Sequence, residues 1–329
     1  MNKNKLIWLL KLIIGIILIF LVYQHVYRDS NFINAFRQMN YVNLLLAFLL
    51  VFGNFALQFF RWRFLLKRIY PEISGWLIIK SILFGVTLGL VTPGNLGELG
   101  RGLYFKNYDR WLITGFTMID KLSGIVVVAF FGLLSLGWLL FTKFVLSSSI
   151  IVIYESIIGI SLLLLVILVF NSQWIHHLTK KFPGNSQIKQ KVVHLASCLS
   201  YLDNRSVMVL LAFSTAWTLI IVLQYYLLIT AFTDINIFNH AVAVYAMLFT
   251  KILLPISLAD LGIREGVSLF YFSLFGTERT AIFNASVLIF FLNILIPALI
   301  GSYFLFKLRF TSQVEGKSGP EKMSMNKSN

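Results

Sequence analysis

Long apolar runs separated by short polar turns organise this chain. They cover 6–23, 42–60, 75–92, 112–141, 150–170, 206–232, 241–258 and 279–306. A helix of about 20 residues crosses the hydrocarbon core of a bilayer, so runs of about 18 or more predict membrane-spanning helices. Most are apolar on every side, the pattern of helices in lipid or packed among other helices. Two are interrupted. "LVTPGNLGELGR" at 90–101 and "LLPISLADLGIREG" at 253–266 each place a proline, a Leu-Gly pair, an arginine and a glutamate at the end of an apolar segment.

Composition agrees: 58% of residues are hydrophobic, only 12% are charged and the mean hydropathy is +0.82. Soluble domains carry about 25% charged residues. The longest polar segment, 171–205, is too short for a sizeable soluble domain, and the polar tail 311–329 is expected to be disordered and cytoplasmic. The opening "MNKNK" and its apolar run imitate a signal peptide. No small-residue cleavage site follows, so a retained first span is expected. The single Cys198 leaves no intramolecular disulfide and no paired thiols for a metal. The net charge of +15 points, in so apolar a chain, to topology and anionic lipid headgroups rather than nucleic acid.

The basic residues choose the architecture. If all eight runs cross and the N-terminus is cytoplasmic, the loop lysines and arginines divide 12 inside and 12 outside. If 75–105 and 241–275 instead dip into the membrane and return, the division is 19 inside and 5 outside. Lys11, Lys80, Lys121 and Lys251 lie within the runs. Positive-inside bias selects the second arrangement. The expectation is an all-α integral membrane protein with six full spans and two re-entrant hairpins. It is one domain over 1–310, whose halves, about 1–145 and 146–310, form an inverted repeat. Both termini are then cytoplasmic in the cell membrane. Cysteines placed at Asn107 and Thr277 should label from opposite sides.

Matched interruptions in two inverted halves point to a midplane substrate site. Pro93, Gly94, Gly97, Pro255 and Gly262 mark the helix breaks, and Gly97 and Gly100 permit close backbone approach. A helix restarting near Asn95 would present free N–H groups to a phosphate. A proline kink in an ordinary span is the bland alternative. Glu98, Arg101, Asp120, Lys121, Lys251, Asp260, Arg264 and Glu265 lie in or beside apolar runs. Each would cost roughly 2.5–3.5 kcal/mol at the bilayer centre, so they must pair or line a polar cavity. Glu98 with Arg101 and Asp260 with Arg264 have spacings that share a helix face. On one reading the basic groups meet a headgroup phosphate and the carboxylates position them; on the other all are internal salt bridges.

Lys11, Lys80 and Glu155 read as snorkelling side chains. Trp62, Trp76, Trp111 and Trp174 fall near inner ends of runs and Trp138 near an outer end, as interfacial anchors do. His176, His177 and His194 form no metal-ligand pattern, so loop 171–205 is expected to lie on anionic lipid headgroups. Nucleotide-phosphate loops, HExxH and GxSxG are absent, as is an aspartate-rich metal cluster. No cofactor or metal is implied. Transport without ATP, or lipid handling, is the most economical class.

"PGNLGELGR" at 93–101 and "P…ADLGIREG" at 255–266 resemble the paired motifs of the lysylphosphatidylglycerol synthase transmembrane-region family, the flippase-like domain. "FTMIDKLSG" at 116–124 is similar to the stretch that follows the family's first motif, with Lys121 as the basic partner of Asp120. Where the second motif of that family often carries Gly-Gly, this chain has Ala259-Asp260. The resemblance covers roughly 6–310. It implies a multi-pass protein handling lipid headgroups, without the soluble aminoacyl-transfer domain that accompanies this region in its best-known setting. The expected function is a lipid translocase acting on a membrane phospholipid or a polyprenyl-phosphate-linked lipid, alongside a separate lipid-modifying enzyme. The alternatives are a membrane enzyme or enzyme subunit acting on lipid-linked sugar or aminoacyl groups, and a non-transporting scaffold.

Overall fold

The computed structural model describes residues 39–105, 107–143 and 197–304, with scattered positions within 20–24 and 149–160. Expectations for the run 6–23, Lys11, Glu155, Trp174, the three histidines, most of 150–170 and of loop 171–205, and the tail 311–329 fall outside the described residues.

All named elements among the described residues are helical. Helix α1 is Tyr41–Leu66, α2 Gly75–Leu90, α3 Arg110–Thr142, α4 Asn204–Thr230, α5 Ile237–Leu253, α6 Ile263–Ser273 and α7 Arg279–Phe304. A 3-10 helix, Leu96–Tyr104, lies between α2 and α3. Among the described residues four helices, α1, α3, α4 and α7, are long and apolar enough to cross a membrane. Side chains of Asn40, Asp109, Asp203 and Asn236 accept backbone N–H groups at the starts of α1, α3, α4 and α5. Each such cap is worth about 1 kcal/mol.

The two interrupted segments fold back as the charge count requires. After α2 the chain turns through Gly94 and Asn95, both left-handed at φ +57° and +55°. The return arm then runs antiparallel along α2. Gly97 lies against the carbonyl of Leu88, Arg101 against Gly85, and the Tyr104 ring 5.5 Å from that of Phe84. Helices α5 and α6 make the second hairpin. Phe238 near its start and Phe275 just after its end both pack on Trp138, at 5.2 and 6.0 Å, so the chain leaves at the level where it entered.

These open ends lie at opposite ends of the bundle. The first hairpin opens where α1 ends and α3 begins: the amide of Asp109 donates to the hydroxyl of Tyr70 at 3.2 Å. The second opens beside Trp138 in the last turns of α3. The tips meet between. Pro93 and Leu258 form an antiparallel bridge, and Gly94 sits against the ring of Pro255.

The halves also repeat in their packing. Gly132 of α3 contacts Tyr245 and Phe249 of α5, and Gly301 of α7 contacts Leu83 and Thr87 of α2. Each is a long helix closing through glycine on the first arm of the other half's hairpin, against two residues four apart. Tyr245 and Phe249 stand as far before Pro255 as Leu83 and Thr87 stand before Pro93.

Two tryptophan assignments separate here. Trp76 and Trp111 are exposed near helix ends, as interfacial anchors are. Trp62 is fully buried and donates its indole N–H to Ser81 at 3.0 Å. It packs the bundle rather than meeting headgroups. Lys80 does fit the snorkelling expectation, with its ammonium over the rings of Trp76 and Phe304.

Thr277 is buried while Glu278 is exposed, so Glu278→Cys is the better labelling partner for Asn107→Cys. An impermeant maleimide should reach these two positions from opposite sides of sealed vesicles. Labelling of both from one side would overturn the arrangement. Cys198 is buried and its thiol is pushed up to about 12 by that burial, so it should stay unmodified at neutral pH.

Candidate functional site

Hydrophobic clusters fill both ends of the bundle, one around Trp62, Leu66 and Phe116, the other around Ala243, Met247 and Phe272. The charged residues occupy the layer between, and each of the eight singled out from sequence has an oppositely charged partner there.

In the first half the partners form a chain of alternating sign. Arg61 Nε meets Asp120 Oδ1 at 2.5 Å, and Arg101 Nη1 meets Asp120 Oδ2 at 3.0 Å. Arg101 Nη2 lies 3.4 Å from Glu98 Oε2, which accepts Lys121 Nζ at 3.0 Å. The order is Arg61, Asp120, Arg101, Glu98, Lys121. The Arg61 end is buried, donates to Ser214 at 3.1 Å and lies over the Trp217 ring. The far end opens: the side chains of Lys121 and Glu98 are 28% and 21% exposed, against 4% for Arg101.

This geometry has local causes. Glu98 and Arg101 pair at i, i+3 as expected, in a 3-10 helix whose three-residue turn places them one above the other. Gly85 lets Arg101 lie flat on α2, since a Cβ there would fall 2.5 Å from Arg101 Cγ. Asp120 and Lys121 are successive on α3, so they point to different sides and reach different partners. The restart near Asn95 is therefore not an α-helix with a free amino end. The amide of Gly97 donates to the Thr92 hydroxyl at 2.6 Å, and Glu98 stands in the first turn.

In the second half, Lys251 Nζ meets Asp260 Oδ2 at 3.2 Å, and Asn95 from the opposite tip donates to the same oxygen at 3.1 Å. Arg264 directs Nε and Nη2 to Glu265 Oε1 at 3.1 and 2.9 Å and lies over the Phe290 ring. Glu265 Oε2 accepts the amide of Gly262 at 2.7 Å, so an internal carboxylate already fills the amino end of α6. The expected Asp260–Arg264 pairing is thus replaced by Lys251–Asp260 and Arg264–Glu265. Helix α6 begins only at Ile263, so Asp260 lies outside it and helical spacing does not apply.

Arg61 was missed from sequence. It closes an apolar run and counts as a loop charge in the positive-inside tally, yet it is 8% exposed. Its signal was its place directly after "LQFF" on what proves to be the same helix. Removing buried Arg61, Arg101 and Arg264 from the tally leaves 17 inside and 4 outside, so the positive-inside bias does not depend on them.

A model of the lysylphosphatidylglycerol synthase TM region matches residues 8–301. The chain belongs to that family. No curated protein and no solved structure matches it. As a member of the lysylphosphatidylglycerol synthase TM-region family it is a multi-pass membrane protein with a lipid-related role. At the Gly-Gly position of the second motif this family member holds Ala259 and Asp260 at φ +50° and +59°. The turn is made without glycine there, and Asp260 thereby reaches both Lys251 and Asn95.

This family member also contains a neutral network that the charge-based reading passed over. Asn54 of α1 accepts the Trp217 indole at 2.6 Å and donates to Asn293 at 3.1 Å, and Asn293 donates to Gln224 at 2.8 Å. Asn293 sits in a π-helical turn, Phe291–Leu295, of α7. Such turns are rare inside α-helices and are frequent at functional sites. The amides tie α1, α4 and α7 together at membrane depth.

Proposed function

We propose that this protein moves a lipid with an anionic headgroup between membrane leaflets, the headgroup passing the layer where the two hairpin tips meet. One observation carries the reading. The chain Arg61–Asp120–Arg101–Glu98–Lys121 has three cations and two anions, an excess of one positive charge inside the protein. An excess charge that is largely withdrawn from water is costly unless an ion of opposite sign visits it. Lys121, at the open end, is the first contact for a phosphate, and Glu98 is the group it exchanges for that phosphate. The Nε of Arg101 has no hydrogen-bond acceptor among the described residues, which leaves a donor behind the pair. The second-half groups Lys251, Asp260, Arg264 and Glu265 balance in charge and hold the opposing tip.

A phospholipid with a phosphodiester headgroup or a polyprenyl-phosphate-linked lipid fits this charge, in the cell membrane with both termini cytoplasmic. A separate enzyme would make or consume that lipid. The second reading is a scaffold whose charges are purely structural, and the complete pairing of all eight groups favours it. Reconstituted vesicles holding a fluorescent anionic phospholipid separate the two. Lys121→Gln should slow leaflet exchange by at least about tenfold, as expected for losing a charged hydrogen-bond partner, while leaving thermal stability near that of the parent. Exchange at the parental rate would reject the translocase reading. A chemically altered lipid in the same vesicles would replace it with an enzyme.

A further inference from the structure

Outside the central layer, one lateral face of the bundle combines basic side chains with an aromatic wall. Phe60, Arg63, Phe64 and Lys67 follow at i, i+3, i+4 and i+7, so they lie along one face at the end of α1. With Arg68 and with Phe213 of α4 they line a groove of about 360 Å³. Arg63 and Lys67 have no acidic partner among the described residues. Arg68 stands 3.7 Å from Asp203, but both side chains are well exposed, at 35% and 62%, so that pair is weak. Arg68 also lies over the ring of Phe64, and Arg63 over that of Phe59.

We infer that this groove is a binding site for an anionic phospholipid whose headgroup carries two phosphates. Arg63 and Lys67, one helical turn apart, take one phosphate, and Arg68 with Lys67 takes the other. An acyl chain lies along Phe60, Phe64 and Phe213. Two features select a lipid over a soluble anion. The aromatic wall continues the apolar face of a membrane-spanning helix, and half of Phe60 is exposed on it. The basic groups sit at the end of that span, at headgroup depth, the position from which basic pockets between helices hold anionic lipids. The carboxyl end of α1 weakly disfavours anions, so affinity depends on the side chains themselves. Because α1 and α4 belong to different halves, the bound lipid bridges them.

The site is independent of the translocation reading and is tested without it. The full-length protein in neutral detergent is titrated by native mass spectrometry with cardiolipin, phosphatidylglycerol and phosphatidylcholine. Cardiolipin should be retained best and phosphatidylcholine least. Arg63→Gln/Lys67→Gln/Arg68→Gln should weaken cardiolipin roughly 100-fold, each basic group contributing a similar share. Lys67→Gln alone, at an exposed position where folding is not at stake, should weaken it about fivefold. Phe213→Ala, with every charge kept, should weaken it several-fold; all titrations are made in a Lys121→Gln background, so that lipid at the central layer is not counted. Equal cardiolipin retention by parent and triple variant would overturn the site. Displacement of cardiolipin by inorganic pyrophosphate at matched concentration would replace the lipid with a soluble anion.

Discussion

Asp120→Asn is expected to destabilise the protein more than any other single charge change. The carboxylate is 2% exposed as a residue and holds two guanidiniums, Arg61 on one oxygen and Arg101 on the other. Neutralising it leaves three cations against one anion in the first-half cluster. Breaking a buried pair from one side costs about 3–5 kcal/mol, and here two pairs share the lost partner. Thermal unfolding of the detergent-purified variant, read by fluorescence-detected size exclusion, should show a large drop or no folded peak. Asp120→Asn/Arg61→Gln should recover part of the loss, because one cation leaves with the anion. A single variant as stable as the parent would mean that the cluster is open to water, and the excess-charge argument would fall with it.

Gly97→Ala should be nearly as severe, for a steric reason. A Cβ at this position would press into the carbonyl of Leu88 and stand 2.7 Å from the Thr92 hydroxyl. The obstacle is backbone, which cannot rotate away, so the return arm must separate from α2. Overpacking costs typically 1–3 kcal/mol and more when a main chain must move. Separation would also pull Glu98 and Arg101 from the central layer. Gly266→Ala is the control: open space surrounds a Cβ there, and alanine favours the helix by about 1 kcal/mol. The first variant should lose stability and lipid exchange together, and the control should lose neither. Equal stability of the two would show that the hairpin is not closed as described.

The architecture was readable because it rests on quantities a sequence carries directly: run length, helix breakers and the side on which arginine and lysine accumulate. Pro93 and Pro255 marked both tips, and the eight charges that needed partners were recognised from their position in apolar runs. Partner identity was harder. Asp260 and Arg264 have helical spacing, but the left-handed turn at Ala259 and Asp260 intervenes, and only three-dimensional structure shows that the helix starts later. Arg61 escaped because a charge at the end of a span looks like the loop that follows. Trp62 escaped for the same reason. Asn54, Gln224 and Asn293 carry no charge and so never entered the count, although amides inside apolar runs also need partners.

The meeting of the two tips bears on how the protein is made. Asn95 and Asp260 are hydrogen-bonded yet 165 residues apart in the chain. When the first hairpin leaves the ribosome, the tip that will cover Pro93 and Asn95 does not yet exist. A bent, polar piece of backbone must therefore wait at membrane depth through the synthesis of half a protein. The two halves also become candidates for expression as separate polypeptides that complete one another.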